Sequence, residues 1–343
     1  MTPNDVVTRA IDAVCAGDHL TADHAAVVLA EIMEGRASEV QTGAFLIALR
    51  AKGETVPELV GLARTMRSLA TPVASSRADL VDTAGTGGGP STFNVSTTAA
   101  LVAAAAGCAV AKHGNRSSTS KCGSADLLEA LGVNIELEPE QVGRCIDEVG
   151  FGFMFAPRHH KAMAHVVPVR KELGVRTIFN FLGPLTNPAG AQRQLLGVSD
   201  RHYQETIAEA LVGLGSVRAM VVAAEDGVDE ISISARTRVI EVADGRTTEH
   251  YVEPGDFGFA EAEAEYVVGG TPDENAAASR AILDGEAGPP RHLVLLNAGA
   301  AIYVGGVAGS LAEGVEKATE AIDSGQAREL LGRLVATTAA LAL

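Results

Sequence analysis

Apolar residues recur at helical spacing through roughly the first seventy positions, and start signals interrupt them often enough to predict several short helices. Ser38 with Gln41 and Thr55 with Glu58 have the spacing of capping boxes, and Pro57 suits the first turn of the helix that Thr55 would begin. After Thr71 and Pro72 the period changes. ADLVDTAG reads as a strand running into a loop, Val95 to Ala106 as a helix, CAVAKHG as a strand and Ala125 to Leu131 as a helix. Further strands are predicted in FGFMFAP, RAMVVAA, RTRVIEV and HLVLLNA. Such alternation predicts an α/β fold with a mostly parallel sheet and helices on its faces. The expected organisation is a small all-helical domain over 1–70 and a larger α/β domain over 71–343. A helical and loop-like segment over 163–185, broken at GPLTNPAG, is expected to pack back on the N-terminal helices and form a cleft, a common seat for a substrate. At the C-terminus, SLAEGVEKATEAIDSGQARELLGRLVA reads as two amphipathic helices separated by Gly325, their charges on a solvated face.

Composition narrows the function. With 343 residues, 47% hydrophobic and 20% charged, the chain can bury a substantial core. Tryptophan is absent and aromatics are few, which leaves no stacking platform for nucleic acid; 43 acids against 27 Lys and Arg oppose general binding to a phosphate backbone. Cys15, Cys108, Cys122 and Cys145 are too irregularly spaced for a metal pattern or a disulfide framework, and read as reduced thiols of a cytoplasmic protein. The N-terminal residues do not resemble a signal peptide, and the apolar stretch from Ala99 to Ala111 is too short to cross a bilayer, so no membrane partner is expected.

Against that acidic background, no Asp or Glu occurs from Thr83 to Ala125. Gly85, Gly87, Gly88 and Gly89 follow a predicted strand and precede a predicted helix, where backbone N–H groups and a helix N-terminus favour a diphosphate. The run is not a Walker motif, because no Gly-Lys-Ser/Thr follows. It also fails the dinucleotide pattern: Pro90 stands where a third glycine is needed, and no acid suited to a ribose hydroxyl appears before Asp126. A tight turn without a ligand is the alternative reading. Asn94, Ser96 and Thr97, at the predicted helix start, serve either as caps or as ligands to phosphate, ribose or metal. Lys112, His113, Asn115 and Arg116 lie where a strand opens into a Ser/Thr loop ending at Lys121, a set suited to phosphate oxygens or to a solvated basic loop.

GTGG, TFNVST, KHGNR, GSADLLEALG and VRKELGVRTIFNFLGPLTNPAG occur in that order, and the chain thereby resembles the anthranilate phosphoribosyltransferase family along nearly its whole length. The resemblance implies a nucleoside-phosphorylase-type phosphoribosyltransferase fold and a homodimer. It implies transfer of the phosphoribosyl group of phosphoribosyl diphosphate to the amine of anthranilate, in tryptophan biosynthesis. It places the donor on Gly85, Gly88, Thr92, Asn94, Ser96, Thr97, Lys112, Thr119 and Ser120, and anthranilate on Gly85, Asn115, His160, Arg170 and Pro184. Lys112, Asn115 and Arg170 are then the residues expected to carry the reaction. From Ala156 to Val198, six Lys or Arg residues face the single acid Glu172, which independently favours an anionic acceptor. His159 and His165 receive no role. Asp229 and Glu230, on a predicted loop after RAMVVAA, match the acids that hold Mg²⁺ in the family with help from a serine like Ser96; judged alone, they read sooner as an acidic surface turn, since such turns are common.

The chain departs from the family's usual GTGGD-G, reading Gly88-Gly89-Pro90 and running one residue shorter before Thr92. Lys161 stands where proline is usual. Another enzyme of the same fold, a pyrimidine nucleoside phosphorylase or a transferase for a different aromatic amine, is the first rival, although KHGNR and VRKELGVRT together do not suit it. A nucleic-acid-binding relative without catalysis is the second, opposed by the acidity and the Asp229–Glu230 pair.

Overall fold

The computed structural model describes residues 2–117 and 120–342. The N-terminal part forms α1 (Asp5–Cys15), α2 (Ala22–Met33), α3 (Glu39–Lys52) and α4 (Val56–Leu69). The anticipated start signals operate. Ser38 Oγ accepts from Gln41 N at 3.2 Å, while Glu58 Oε2 accepts from Thr55 N and Oγ1, both at 2.9 Å. Glu58 does more than cap. It is fully buried, accepts from Leu20 N at 2.9 Å and pairs with Lys52 Nζ at 3.0 Å, so it ties the loop after α1 to the junction of α3 and α4.

The seven strands are β1 (Leu80–Gly85), β2 (Ala109–Gly114), β3 (Phe151–Phe155), β4 (Arg193–Gly197), β5 (Arg218–Ala224), β6 (Thr237–Ala243) and β7 (Arg246–Val252), in the spatial order β3-β2-β1-β4-β5-β6-β7. The first five are parallel and the last two antiparallel. Helix α5 (Val95–Ala105) crosses from β1 to β2, and α6 (Ser124–Ala130) with α7 (Pro139–Val149) from β2 to β3. The chain then passes through the short helices α8 (Ala156–His159), α9 (Val167–Leu173) and α10 (Phe179–Leu182) before entering β4 on the other side of β1. Helix α11 (Gln204–Gly213) leads to β5, and α12 (Pro272–Leu283), α13 (Pro289–Gly305), α14 (Leu311–Asp323) and α15 (Gln326–Leu341) finish the chain. Connections leave β1 toward one edge and β4 toward the other, so the C-terminal ends of these neighbours form a topological switch point, the place where open α/β sheets bind ligands.

The expected strand HLVLLNA is instead part of α13. Its apolar run carries no period that separates a strand from a buried helix. Length decides: α13 spans 17 residues, and Leu293 through Ile302 are all buried in the core formed with α5, α14, α15 and one face of the sheet. The sequence pattern also missed β4 and β7. The first is a short buried strand, and β7 is an edge strand whose residues are exposed up to Val252.

The other sheet face carries a second core. Leu196, Val198, Val221 and Val242 pack there with α11 and with the helical part, including Phe45, Leu59, Leu62 and Met66. Val166, Ile178, Phe179, Phe181, Leu182 and Leu185 join the same cluster, so the connecting segment lies between the N-terminal helices and the sheet. All four cysteines are free, and Cys108, Cys122 and Cys145 are buried. Among the described residues no helix is long and apolar enough to cross a membrane.

Glu58→Ala is expected to destabilise the protein by about 3–5 kcal/mol, because it strands a buried ammonium and two backbone N–H groups. Urea unfolding would measure this, and a loss under about 1 kcal/mol would deny Glu58 its role as a junction.

Candidate active site

The site grows from the C-terminal ends of β1, β2, β4 and β5. Beyond β1 the glycine run passes against the loop after β5: a β-carbon on Gly85 would lie 2.2 Å from Asp229 Oδ2. Gly87 N donates to that same oxygen at 2.8 Å. Gly88, at φ +85°, has no room for a side chain because a β-carbon would meet Arg176 Nη1 at 2.3 Å. After Pro90 the chain bridges to Val268 at Thr92, whose Oγ1 donates to Glu230 Oε1 at 3.2 Å.

Asn94 sits at the N-cap of α5 but does not cap it. Its Nδ2 donates to Cys122 O at 3.1 Å and its Oδ1 accepts from Asn275 Nδ2 at 2.8 Å, so the amide is held in one orientation between the loop before α6 and helix α12. Ser96 and Thr97 occupy the first turn, and Thr97 Oγ1 is buried without a partner. Lys112 on β2 is 2% exposed. Its Nζ donates to Thr83 O at 2.5 Å and Thr83 Oγ1 at 3.1 Å, and lies 3.4 Å from Ser96 Oγ. Burial pulls its pKa down to about 8, opposed by the charge of Asp82, so the ammonium persists at neutral pH.

The loop after β2 revises the sequence picture of an unopposed cationic stretch. Arg116 Nη1 pairs with Asp126 at 2.8 Å, Nη2 reaches Glu129 at 2.9 Å, and the guanidinium lies 5.5 Å from the Phe155 ring centroid. Two acids beyond the acid-free run thus fold back on it, and Arg116 serves as an anchor for the loop. Asn115 is exposed, with its Oδ1 accepting from Arg116 N at 2.7 Å. Ser120 N donates to Ser117 Oγ at 2.7 Å. Thr119 lies outside the described residues.

Asp82, fully buried, connects this half of the site to the connecting segment. Its Oδ1 accepts from His113 N at 3.2 Å and its Oδ2 from Asn187 Nδ2 at 2.7 Å, while Asn187 Nδ2 also donates to Ala111 O at 2.8 Å. That stitch brings GPLTNPAG to the ends of β1 and β2. Pro184 is buried and its carbonyl accepts from Gln194 Nε2 at 2.8 Å. His160 and His113 face each other with ring centroids 5.0 Å apart. His113 Nε2 and both ring nitrogens of His160 are buried without hydrogen-bond partners. Burial drives the pKa of His113 down to about 3 and that of His160 to about 4, so both are neutral at pH 7. The Arg170 guanidinium, on α9, lies 5.5 Å from the Phe179 ring centroid, and no ion pair to it occurs among the described residues.

Asp229 and Glu230 follow β5 on the anticipated loop. Burial raises both carboxyl groups above their ordinary range, Glu230 the more strongly, and the neighbouring Asp229 adds to its shift. Glu230 Oε2 is buried without a partner. Two desolvated acids with an orphaned oxygen form a cation-seeking arrangement, and hard oxygen donors of this kind suit Mg²⁺. Among the described residues no group of three or more His, Cys, Asp or Glu side chains is placed to hold a metal ion.

Lys112 is therefore in contact with Ser96, Thr92 with Glu230 and Gly87 with Asp229, while Arg170, His160 and Pro184 belong to the connecting segment. Sequence reasoning assigned no role to Asp82, Asn187, Arg176, Ser199 or Asn275. Asp82 and Asn187 stood inside the quoted motifs, but their pairing across 105 positions had no local signal.

Residues 8–70 match the glycosyl transferase family helical bundle domain and residues 77–328 the glycosyl transferase family a/b domain. An anthranilate phosphoribosyltransferase from Thioalkalivibrio sulfidiphilus is 55% identical over 96% of this chain and 98% of its own. One from Symbiobacterium thermophilum is 54% identical over 94% of each. The crystal structure of anthranilate phosphoribosyltransferase from Thermus thermophilus superposes with a TM-score of 0.91 at 48% identity, covering 96% of this chain and 99% of that one. The Saccharomyces cerevisiae enzyme in complex with PRPP and Mg does so with a TM-score of 0.87 at 26% identity, covering 97% and 98%. With its helical bundle, its seven-stranded sheet and these full-length likenesses, the chain belongs to the anthranilate phosphoribosyltransferase family.

Proposed function

We infer that this protein transfers the phosphoribosyl group of phosphoribosyl diphosphate to the amine of anthranilate, releasing diphosphate. One observation carries the reading: two sets of anion-seeking groups stand on segments that the Asp82–Asn187 bond stitches together. One set is the glycine run, Lys112, Ser96 and the orphaned Thr97 hydroxyl; the other is the half-buried guanidinium of Arg170, to which no ion pair occurs among the described residues. Donor and acceptor both carry negative charge, and each set suits one of them. The family membership and the 55% identity to a relative named for this activity support the same conclusion.

In this reading Gly85, Gly88, Thr92, Asn94, Ser96, Thr97, Lys112, Thr119 and Ser120 hold the donor. Gly85, Asn115, His160, Arg170 and Pro184 hold anthranilate. The C1–O bond breaks with its electron pair passing to the diphosphate oxygen, while the amine lone pair forms the C1–N bond and the amine proton leaves. Lys112 meets the departing charge as a desolvated ammonium, which is worth more there than in water. Arg170 grips the aromatic carboxylate and so sets the amine in line with C1. His160 presents a neutral nitrogen rather than a competing charge. Mg²⁺, held by Asp229 and Glu230 with Ser96, would neutralise diphosphate charge and so improve the leaving group.

Residues 1–70 with about 163–185 form the helical domain in this reading, and the remainder the α/β domain. A cytoplasmic homodimer is proposed alongside: Val40 and Ile47, seven residues apart on one face of α3, are 81% and 37% exposed.

Mixing the protein with phosphoribosyl diphosphate, Mg²⁺ and anthranilate should consume anthranilate fluorescence; turnover of a nucleoside without that loss would favour the phosphorylase reading. Arg170→Gln should raise the anthranilate KM about ten- to a hundredfold, the scale of one charged hydrogen bond, and leave the donor KM nearly unchanged. Asp229→Asn with Glu230→Gln should raise the Mg²⁺ concentration for half-maximal rate by about tenfold or more, and an unaltered titration would remove the pair from the metal site.

The histidines add a pH dependence. In the unfolded chain both titrate near 6.5, whereas folded His113 and His160 resist protonation down to about 3 and about 4. The unfolded state therefore binds more protons in the intervening window, and stability falls as pH drops below 6.5. The unfolding free energy from urea titrations should decline toward pH 5 with the two histidines contributing a slope of about 2.5 kcal/mol per pH unit, and the double replacement His113→Asn, His160→Asn should remove that contribution.

A further inference from the structure

Arg176 follows α9 and Gly174, and its guanidinium reaches the glycine run rather than the surface. Nη1 lies 3.4 Å from Ser199 Oγ, and only the bare α-carbon of Gly88 allows the run to pass beside it. Ser199 is itself fastened to that run: its Oγ donates to Gly87 O at 2.7 Å and its N to Thr86 Oγ1 at 3.2 Å. The guanidinium carbon is 5.8 Å from the Phe181 ring centroid. Nη2 is buried and has no partner. Arg116, Arg158 and Arg238 each pair with two carboxylates, whereas no ion pair to Arg176 occurs among the described residues. The acid that feels its charge, Asp229, is already bonded to Gly87 N.

Two guanidinium groups of the connecting segment therefore share one construction. Arg170 lies over Phe179 and Arg176 over Phe181, both aromatics of α10, and neither has a carboxylate partner. Stacking holds each fork in place, and a buried donor without a partner calls for an acceptor. The reaction brings three anionic groups, the acceptor's carboxylate and the donor's 5-phosphate and diphosphate; Arg170 is allotted to the carboxylate, and the place of Arg176 beside the glycine run favours the diphosphate. Arg176 borders Gly88 and Ser199 at the ends of β1 and β4, where the glycine run presents its N–H groups. The run itself contains no acid to compete for the fork.

We propose that Arg176 binds the diphosphate of the phosphoribosyl donor, closing the glycine run from the connecting segment. The proposal rests on the transferase reading above, but its test does not. Inorganic diphosphate with Mg²⁺ is titrated calorimetrically into the full-length protein and into Arg176→Gln and Arg176→Lys, with thermal melts to verify folding. Binding of diphosphate needs neither acceptor nor turnover. Wild type that binds diphosphate but transfers nothing to anthranilate would sink the transferase reading and leave Arg176 in place. The diphosphate Kd of Arg176→Gln should rise about ten- to a hundredfold, the range for a lost charged hydrogen bond, with Arg176→Lys intermediate because it keeps the charge and loses the fork. In steady state the donor KM should rise in parallel while the anthranilate KM stays within about twofold. An unchanged diphosphate Kd overturns the proposal, as does a rise confined to the anthranilate KM, which would move Arg176 to the acceptor side. If Arg176→Gln fails to fold, the lysine variant decides: a loss of diphosphate affinity of about threefold or more supports the clamp, and equal affinity refutes it.

Discussion

A carboxylate with no exposure to solvent organises this active site. Asp82 stands on β1 and is bonded to the backbone of the neighbouring β2 and to Asn187 of the connecting segment. Burial raises its pKa, against the opposing charge of Lys112 and the hydrogen bonds from Asn187 and His113. Charged groups so deeply placed persist only when their bonds are satisfied. The consequence is positional: the strand bearing Lys112 and the turn bearing Pro184 are fixed relative to each other by the same bond set.

Around that satisfied centre lies a ring of groups that are not satisfied. Thr97 Oγ1, Glu230 Oε2, His113 Nε2, both nitrogens of His160 and Arg176 Nη2 are all buried without protein partners. Native proteins leave few such atoms. Those named lie at or beyond the carboxyl ends of the parallel strands or on the connecting segment, where a polar or charged ligand would find them, while Glu54 Oε2 and Gln194 Oε1 are others elsewhere in the fold. Fold and chemistry thus share a cause, since a parallel sheet directs its strand ends, its helix N-termini and its connecting loops to the same edge.

Local pattern made several parts legible before any coordinates. Capping boxes at Ser38 and Thr55, the change of period after Pro72 and the strand–glycine–helix succession near Gly85 are all short-range features, and chain neighbours decide them. HLVLLNA failed because an evenly apolar run has no face; only the helices packed around it make it helical. Arg116 looked like a phosphate ligand because its acids, Asp126 and Glu129, lie outside the acid-free run, and a helical turn is needed to bring them back.

By itself the sequence determined the secondary pattern of most of the chain, the acid-free stretch and the motif order that marks its family, all properties of residues close along the chain. Tertiary structure alone decided that Asp82 meets Asn187, that Asn275 orients Asn94, and that Arg170 and Arg176 rest on two aromatics of one short helix. Those contacts join residues far apart in sequence, and their geometry is set by how the sheet, the connecting segment and the helical bundle close on one another, information that no local period contains.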